Sequence, residues 1–485
     1  MSATAVSLAV IFVIVAGGTA IGFLGAARRR MDLEEWTVGG RGFGVVLVFL
    51  LTSGEVYTTF SFLGASGWAY SRGGPTLYIL AYLTLAYVLS FFLLPAIWEA
   101  GRRHGMQTQS DFFATRYGNR YLAGFVCLVG IASFVPYLDL QLTGVGIIVQ
   151  VASFGAIGRA PAMTVASLLL VAFVFAGGVR AVAWVSVVKD ALMLFAAIAI
   201  GIGVPLIHFG GIGAMFTALA HAHPRHLTMP GATTGLGHAW YVSAVLLTAL
   251  GFYMWPHIFA ATFTARSADA LRRNAVVMPL YSLTLVFIFF AGFAAVLIVP
   301  GLSNGDLALL TVVRQSFPPW FLGIVGGAGA LTAMVPAAIL ILTAATLFAK
   351  NLFRSLLAPA MSDDQVVRLA RAMVVVLGLV SLALAVFGST TLVSLLLMGY
   401  AGVTQFFPGV VLGLFWRRVT TPGVFAGLVA GACTAVLLML TRHDPVFGLN
   451  AGFVALCLNV LIAVTVSLLT PATAADLAAP SRSRA

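Results

Sequence analysis

The sequence predicts a polytopic all-α membrane protein of about 13 transmembrane helices, and three observations carry that prediction. Mean hydropathy is +1.06, and 61% of the 485 residues are hydrophobic against 8% charged, a balance that water-soluble domains do not keep. Apolar runs near the ~20 residues a bilayer requires recur along almost the whole chain. Basic residues fall between those runs and favour alternate loops.

The first run, 3–26, has no basic segment before it and is followed by Arg28, Arg29 and Arg30. It reads as a retained helix, not a cleaved signal peptide. Further runs lie near 43–70, 75–98, 121–153, 161–179, 182–207, 238–262, 274–300, 320–349, 372–388, 389–416, 421–440 and 447–470. Several carry helix breakers: Ser53-Gly54 in the second, Pro136 in the fourth, Gly251 and Pro256 in the seventh, and Pro336 in the ninth. Broken helices are tolerated in lipid only where the freed backbone groups are buried or line a cavity. The second and seventh runs each open a group of five, so their paired breaks point to an inverted repeat with a binding site near the midplane.

The organisation expected is a leading helix and loop (1–42), a first five-helix repeat (43–207), an external Gly- and His-rich loop (208–237), a second repeat (238–418), two additional helices (419–470) and a disordered tail (471–485). The loop 350–371 is polar, and no soluble catalytic or kinase-like extension is present.

The net charge of +12 does not imply a nucleic-acid partner, because the basic residues are scattered through short loops. Of the 26 Lys and Arg, 20 fall on one side and 5 on the other, with Lys189 inside a span. By the positive-inside rule the N-terminus is external and the C-terminus cytoplasmic, in a bacterial-type inner membrane. Cys127, Cys433 and Cys457 lie in spans without metal-ligand spacing and read as packing residues. His221, His223 and His226 lie in a Pro-broken external loop without Cys or a nearby carboxylate, which favours solvated side chains over a metal site. No nucleophile elbow, phosphate loop, cofactor motif or paired carboxylates point to an enzyme. Glu55, alone in an apolar stretch, marks a transport pathway, since an ionisable group at membrane depth costs about 3 kcal/mol or more.

The segments WTVGGRGFG (36–44), SGEVYTTFSFLGASGWAYSRG (53–73), SDFFATRYGNRY (110–121), FAGGVRAVAWVSVVKD (175–190), GFYMWPHIFAATFTARS (251–267), LTAMVPAAILILTAATLFAKNLFR (331–354) and FFPGVVLGLFWRRVTTPG (406–423) occur in this order. Together they resemble the sodium:solute symporter family over almost the whole chain, and within it the monocarboxylate permease branch. The resemblance implies a LeuT-type core of ten helices in two inverted five-helix repeats, preceded by one helix and followed by two. It also implies secondary active uptake.

Sodium-using members coordinate the ion with carbonyls at the break in core helix 1, which fall here at Gly54 and Tyr57, and with a carbonyl and two hydroxyls on core helix 8. The latter positions fall at Thr332, Val335 and Pro336. Val and Pro offer no side-chain oxygen, and a hard cation needs oxygen ligands. On core helix 5 the family often carries an acidic residue after its AVxW motif, where this chain has Ser186, with Lys189 one turn on. The resemblance places that helix beside the sodium cavity. A Lys189 ammonium in that cavity would replace the ion's charge, hold helices 1, 5 and 8 together through the carbonyls of Gly54, Tyr57 and Thr332, and make the carrier proton-coupled, since buried lysines exchange protons readily. Two alternatives are a Lys189 that pairs with Asp190 or snorkels to the cytoplasmic interface, and sodium bound through carbonyls alone. A Lys189–Asp190 pair is geometrically poor, because adjacent helical residues point about 100° apart.

Glu55 has two compatible roles, as a desolvated proton carrier or as a cap on the half-helix restarting near Val56. Asp139, after Pro136, either binds amides freed by that kink or lines the pathway. Substrate-binding candidates flank the breaks: Gly54, Thr58 and Thr59 on core helix 1, Tyr253, Trp255 and His257 on core helix 6, and Tyr400, Thr404 and Gln405 on core helix 10. Exposed amides and Tyr, Thr or His donors suit a small carboxylate, with aromatic faces around its apolar end. The expected function is therefore proton-coupled import of small organic monocarboxylates such as pyruvate, lactate or acetate. The alternatives are sodium-coupled import of an amino acid or carboxylate, and a membrane sensor that binds solute without moving it.

Overall fold

The computed structural model describes residues 2–26, 44–232, 236–388 and 390–471. The segment WTVGGRGFG up to Phe43, the basic residues Arg28, Arg29, Arg30 and Arg41, and the tail from 472 onward lie outside the described residues. What is described is almost wholly helical, as it must be where lipid offers no hydrogen bonds to the backbone.

The helices are α1 (Ala3–Ala26), α2 (Val45–Gly54), α3 (Ala65–Ser71), α4 (Tyr78–His104), α5 (Gln109–Tyr117), α6 (Arg120–Ala152), α7 (Arg159–Phe209), α8 (Ile212–Ala222), α9 (His238–Gly251), α10 (Pro256–Thr262), α11 (Ala268–Ser282), α12 (Leu285–Ile298), α13 (Ala308–Ser316), α14 (Pro319–Thr346), α15 (Asp363–Phe387), α16 (Leu392–Val403), α17 (Phe406–Phe415), α18 (Thr421–Leu440) and α19 (Ala451–Leu469). Among the described residues nine helical spans are long and apolar enough to cross a membrane, and the bent pairs formed by α9 with α10 (53°) and by α16 with α17 (42°) bring the total to eleven. The broken span from Val45 to Ser71 and the first part of α7, Arg159–Phe175, account for the two other apolar runs.

Helical backbone is continuous through α7, but it is not straight. A Cβ on Gly22 of α1 would meet both Phe173 and Val185 side chains, although twelve residues of straight helix would part them by about 18 Å. The 161–179 and 182–207 runs therefore both lie on this one bent helix.

Two expected breaks are absent. α6 and α14 run unbroken through Pro136 and Pro336, because an isolated proline removes only one ladder bond, which a buried helix can tolerate. The 208–237 and 350–371 stretches are also more ordered than loops. The first contains α8, and a π-helical turn, Leu347–Leu357, extends α14 into the second, after which α15 starts on a Ser362 and Gln365 capping box.

α14 is the most enclosed span, buried along nearly its whole length. Its Gly323, Gly326 and Gly327 receive Val10, Ile11 and Ile14 of α1, so close that an added Cβ would lie 2.7–2.8 Å from those side chains.

Candidate functional site

The centre of the molecule is the gap between α2 and the π-helical turn Phe60–Gly64. Glycine at 54 ends α2, and the Thr58 amide, which would close the next helical turn on Gly54, instead takes the Ser61 hydroxyl at 2.9 Å. Ser61 in turn donates to the Val56 carbonyl at 2.6 Å. The half-helix is therefore capped from within by Ser61, and not by Glu55.

Lys189, wholly buried on α7, reaches into this gap. Its ammonium donates to the Gly54 carbonyl at 2.9 Å and to the Tyr57 carbonyl at 3.0 Å. It also lies 3.1 Å from Asp190 Oδ1, while Asp190 Oδ2 accepts from Ser53 at 2.8 Å. Lys189 does pair with its neighbour, contrary to the geometric expectation, because the long lysine side chain doubles back to a carboxylate anchored on Ser53. Ser186 spends its hydroxyl on the Val182 carbonyl, and the Thr332 hydroxyl is buried without a partner. Val335 approaches the same glycine, and a Cβ on Gly54 would sit 3.4 Å from the ammonium, 3.4 Å from Ser186 Oγ and 3.8 Å from Val335.

The second half of the site is built at the α9–α10 break. Pro256 opens α10, and the Met254 carbonyl freed there accepts from Gln109 of α5 at 2.9 Å. His257, one residue into α10, places Nε2 2.8 Å from Glu55 Oε2, so a buried pair joins the two broken helices. Glu55 Oε1 and His257 Nδ1 are both buried without partners. Around them stand Phe134 and Tyr137 of α6 with Trp255. The Trp255 ring stacks on Phe134 at 5.9 Å and 11° and lies 4.9 Å from Tyr137 and 5.4 Å from Tyr400. Thr59 donates to Gln141 Oε1 at 2.5 Å, leaving Gln141 Nε2 buried and unpartnered.

The other expected site residues are divided. Thr404 bonds the Leu247 carbonyl at 3.2 Å, and Gln405 turns to Asn459 of α19, so these two brace the α16–α17 bend. Tyr253 is buried beside Phe252, with ring centroids 4.9 Å apart. Asp139 accepts from Thr143 at 3.0 Å and takes no amide at the Pro136 kink. His226 bonds the Tyr70 carbonyl at 2.9 Å, and no cluster able to hold a metal occurs among the described residues.

Sequence reasoning missed Gln141, Phe134 and Tyr137, although their spacing along α6 puts them on one helical face. It also missed a network in which Lys350 donates to Asp111 (2.7 Å) and Gln107 (2.9 Å) while Asn351 donates to Asp111 (2.7 Å). Burial pushes the Asp111 carboxyl up, but the Lys350 ammonium and these hydrogen bonds outweigh it and hold it below its ordinary value.

A profile of the sodium:solute symporter family matches residues 36–431. The chain belongs to that family. The symporter is 45% identical to the "Uncharacterized symporter YhjB" of Bacillus subtilis, over 98% of this chain and 99% of that one. It is 27% identical to the "Monocarboxylate transport permease protein" of Rhizobium johnstonii, over 98% of each. Among solved structures it is similar to a substrate-bound, outward-open Na+-coupled sialic acid symporter, with a TM-score of 0.81 at 17% identity over 96% of this chain and 98% of that one. That likeness shows the fold, a multi-pass helical architecture of the LeuT type.

Proposed function

We propose that this symporter imports small organic monocarboxylates together with protons across the cytoplasmic membrane, with Lys189 in the place of a sodium ion. The observation that carries the reading is the Lys189 ammonium on the Gly54 and Tyr57 carbonyls at 2.9 and 3.0 Å, at a glycine also approached by Val335, whose side chain has no oxygen to offer a cation. Protonated, it ties α7 to the broken α2; deprotonated toward the cytoplasm, it releases that tie and frees the break to move. The printed name of the Rhizobium relative supports a monocarboxylate substrate, as do the donors and aromatic rings at the α10 break. The basic-residue bias supports an external N-terminus and a cytoplasmic C-terminus.

The test is uptake into proteoliposomes under proton and sodium gradients imposed separately. A proton gradient should drive accumulation of lactate or pyruvate, a sodium gradient alone should not, and Lys189→Ala should abolish concentrative uptake. Accumulation driven by sodium alone and indifferent to Lys189→Ala overturns the coupling. Saturable binding with no accumulation makes the protein a sensor.

A further inference from the structure

Two buried groups at the centre have a free atom each: Glu55 Oε1 and His257 Nδ1, on side chains joined to one another at 2.8 Å. We propose that this Glu55–His257 pair is a proton-binding site loaded together with the substrate anion, distinct from Lys189. The inference rests on the monocarboxylate reading of the same site.

The reasoning is a count of protons. With one shared proton between Glu55 Oε2 and His257 Nε2 and none on Nδ1, the pair carries one net negative charge and Nδ1 offers only a lone pair. A carboxylate is then repelled by the charge and finds no donor. One added proton changes both properties at once. Whether it sits on the imidazole, leaving Glu55 ionised, or on Glu55 Oε2 donating to Nε2 of the Nδ1–H tautomer, Nδ1 ends with a hydrogen and the pair ends neutral. The anion then accepts from Nδ1–H, with the unpartnered Gln141 Nε2 as a second donor. Proton and anion therefore enter as a neutral unit.

The surroundings supply no competing charge on this face. α14 carries no titratable side chain, α4 presents Tyr82 and Tyr87, and the Asp111 of α5 is committed to Lys350. Tyr137 lies beside the His257 ring at 6.0 Å. Lys189 and Asp190 lie across the α2 break and are paired with each other.

Binding to the purified full chain between pH 6 and 8 separates the possibilities, because the probes lactate, pyruvate and acetate stay essentially ionised there. Affinity should fall as pH rises, approaching about tenfold per unit, with about one proton taken up per anion bound, measured by calorimetry in buffers of different ionisation enthalpy. Glu55→Gln and His257→Gln should each remove both the pH dependence and the proton uptake. Anion binding by the parent with no proton uptake overturns the proposal, as does uptake that survives in His257→Gln. If the parent binds none of the three probes at any pH, the monocarboxylate reading itself has failed, and this inference falls with it.

Discussion

Replacing Lys189 with methionine preserves the bulk of the side chain and removes its charge, which isolates the role of the ammonium. The loss comprises two charge-assisted bonds, to Gly54 and Tyr57, and the contact at 3.1 Å that neutralises Asp190. Bonds to charged groups contribute about 1.5–3 kcal/mol each, and stripping one partner from a buried ion pair costs about 3–5 kcal/mol. Both routes lead to a destabilisation of about 3–5 kcal/mol for Lys189→Met. Most of that cost is the stranded aspartate, so Lys189→Met with Asp190→Asn should recover about 2 kcal/mol, since asparagine still accepts from Ser53. Reversible unfolding in mixed micelles, followed as a double-mutant cycle, measures each step. A single variant within about 1 kcal/mol of the parent, or a double variant no more stable than the single, would refute the reasoning.

Asp306, at the end of the segment between α12 and α13, has its carboxyl pushed up to about 6 by burial, against an ordinary 3.8. Its ionisation therefore opposes folding: the folded chain keeps a proton that the unfolded chain has released, and stability falls as pH rises from about 4 through 6. Asp306→Asn should raise stability by about 3 kcal/mol at pH 7.5 and by only about 1 kcal/mol at pH 4.5, read by unfolding at the two pH values. The Asp111 carboxyl is held low, so its contribution is present at neutral pH and lost as pH falls through that depressed value. Asp111→Asn should cost about 1–3 kcal/mol at pH 7, with the gap to the parent narrowing below about pH 4 in the same assay. A methyl on Gly251 would fall 2.0 Å from Thr404 Oγ1 and 2.9 Å from Tyr400 Cδ1. Gly251→Ala should therefore abolish uptake at unchanged membrane abundance, because neither neighbour can retreat from the α16–α17 bend.

The spans were legible because lipid demands long apolar runs, and the decisive breaks were legible because glycine and proline produced them. The same rule overreached at Pro136 and Pro336, where the loss of one ladder bond leaves the helix intact. Lys189 could be placed against Gly54 because the family resemblance sets its helix beside the sodium cavity and spacing puts it on the face of Ser186. Its pairing with Asp190 could not, since that depends on how far a long side chain bends toward Ser53. The Glu55–His257 pair was equally hidden, as the two residues are 202 positions apart and each looked self-sufficient at its own break. Gln141 left no signal beyond helical spacing, because a single amide on an apolar face has meaning only once Thr59 is set beside it.

The berth that Gly323, Gly326 and Gly327 provide for α1 has a consequence for biogenesis. α1 docks against α7 as well as against α14, which follows much later in the chain, so its α14 face stays open to lipid until that later helix has been inserted. Filling that groove by mutation should leave α1 seated on α7 but unable to close on α14, and quality control would meet a carrier with that seam open.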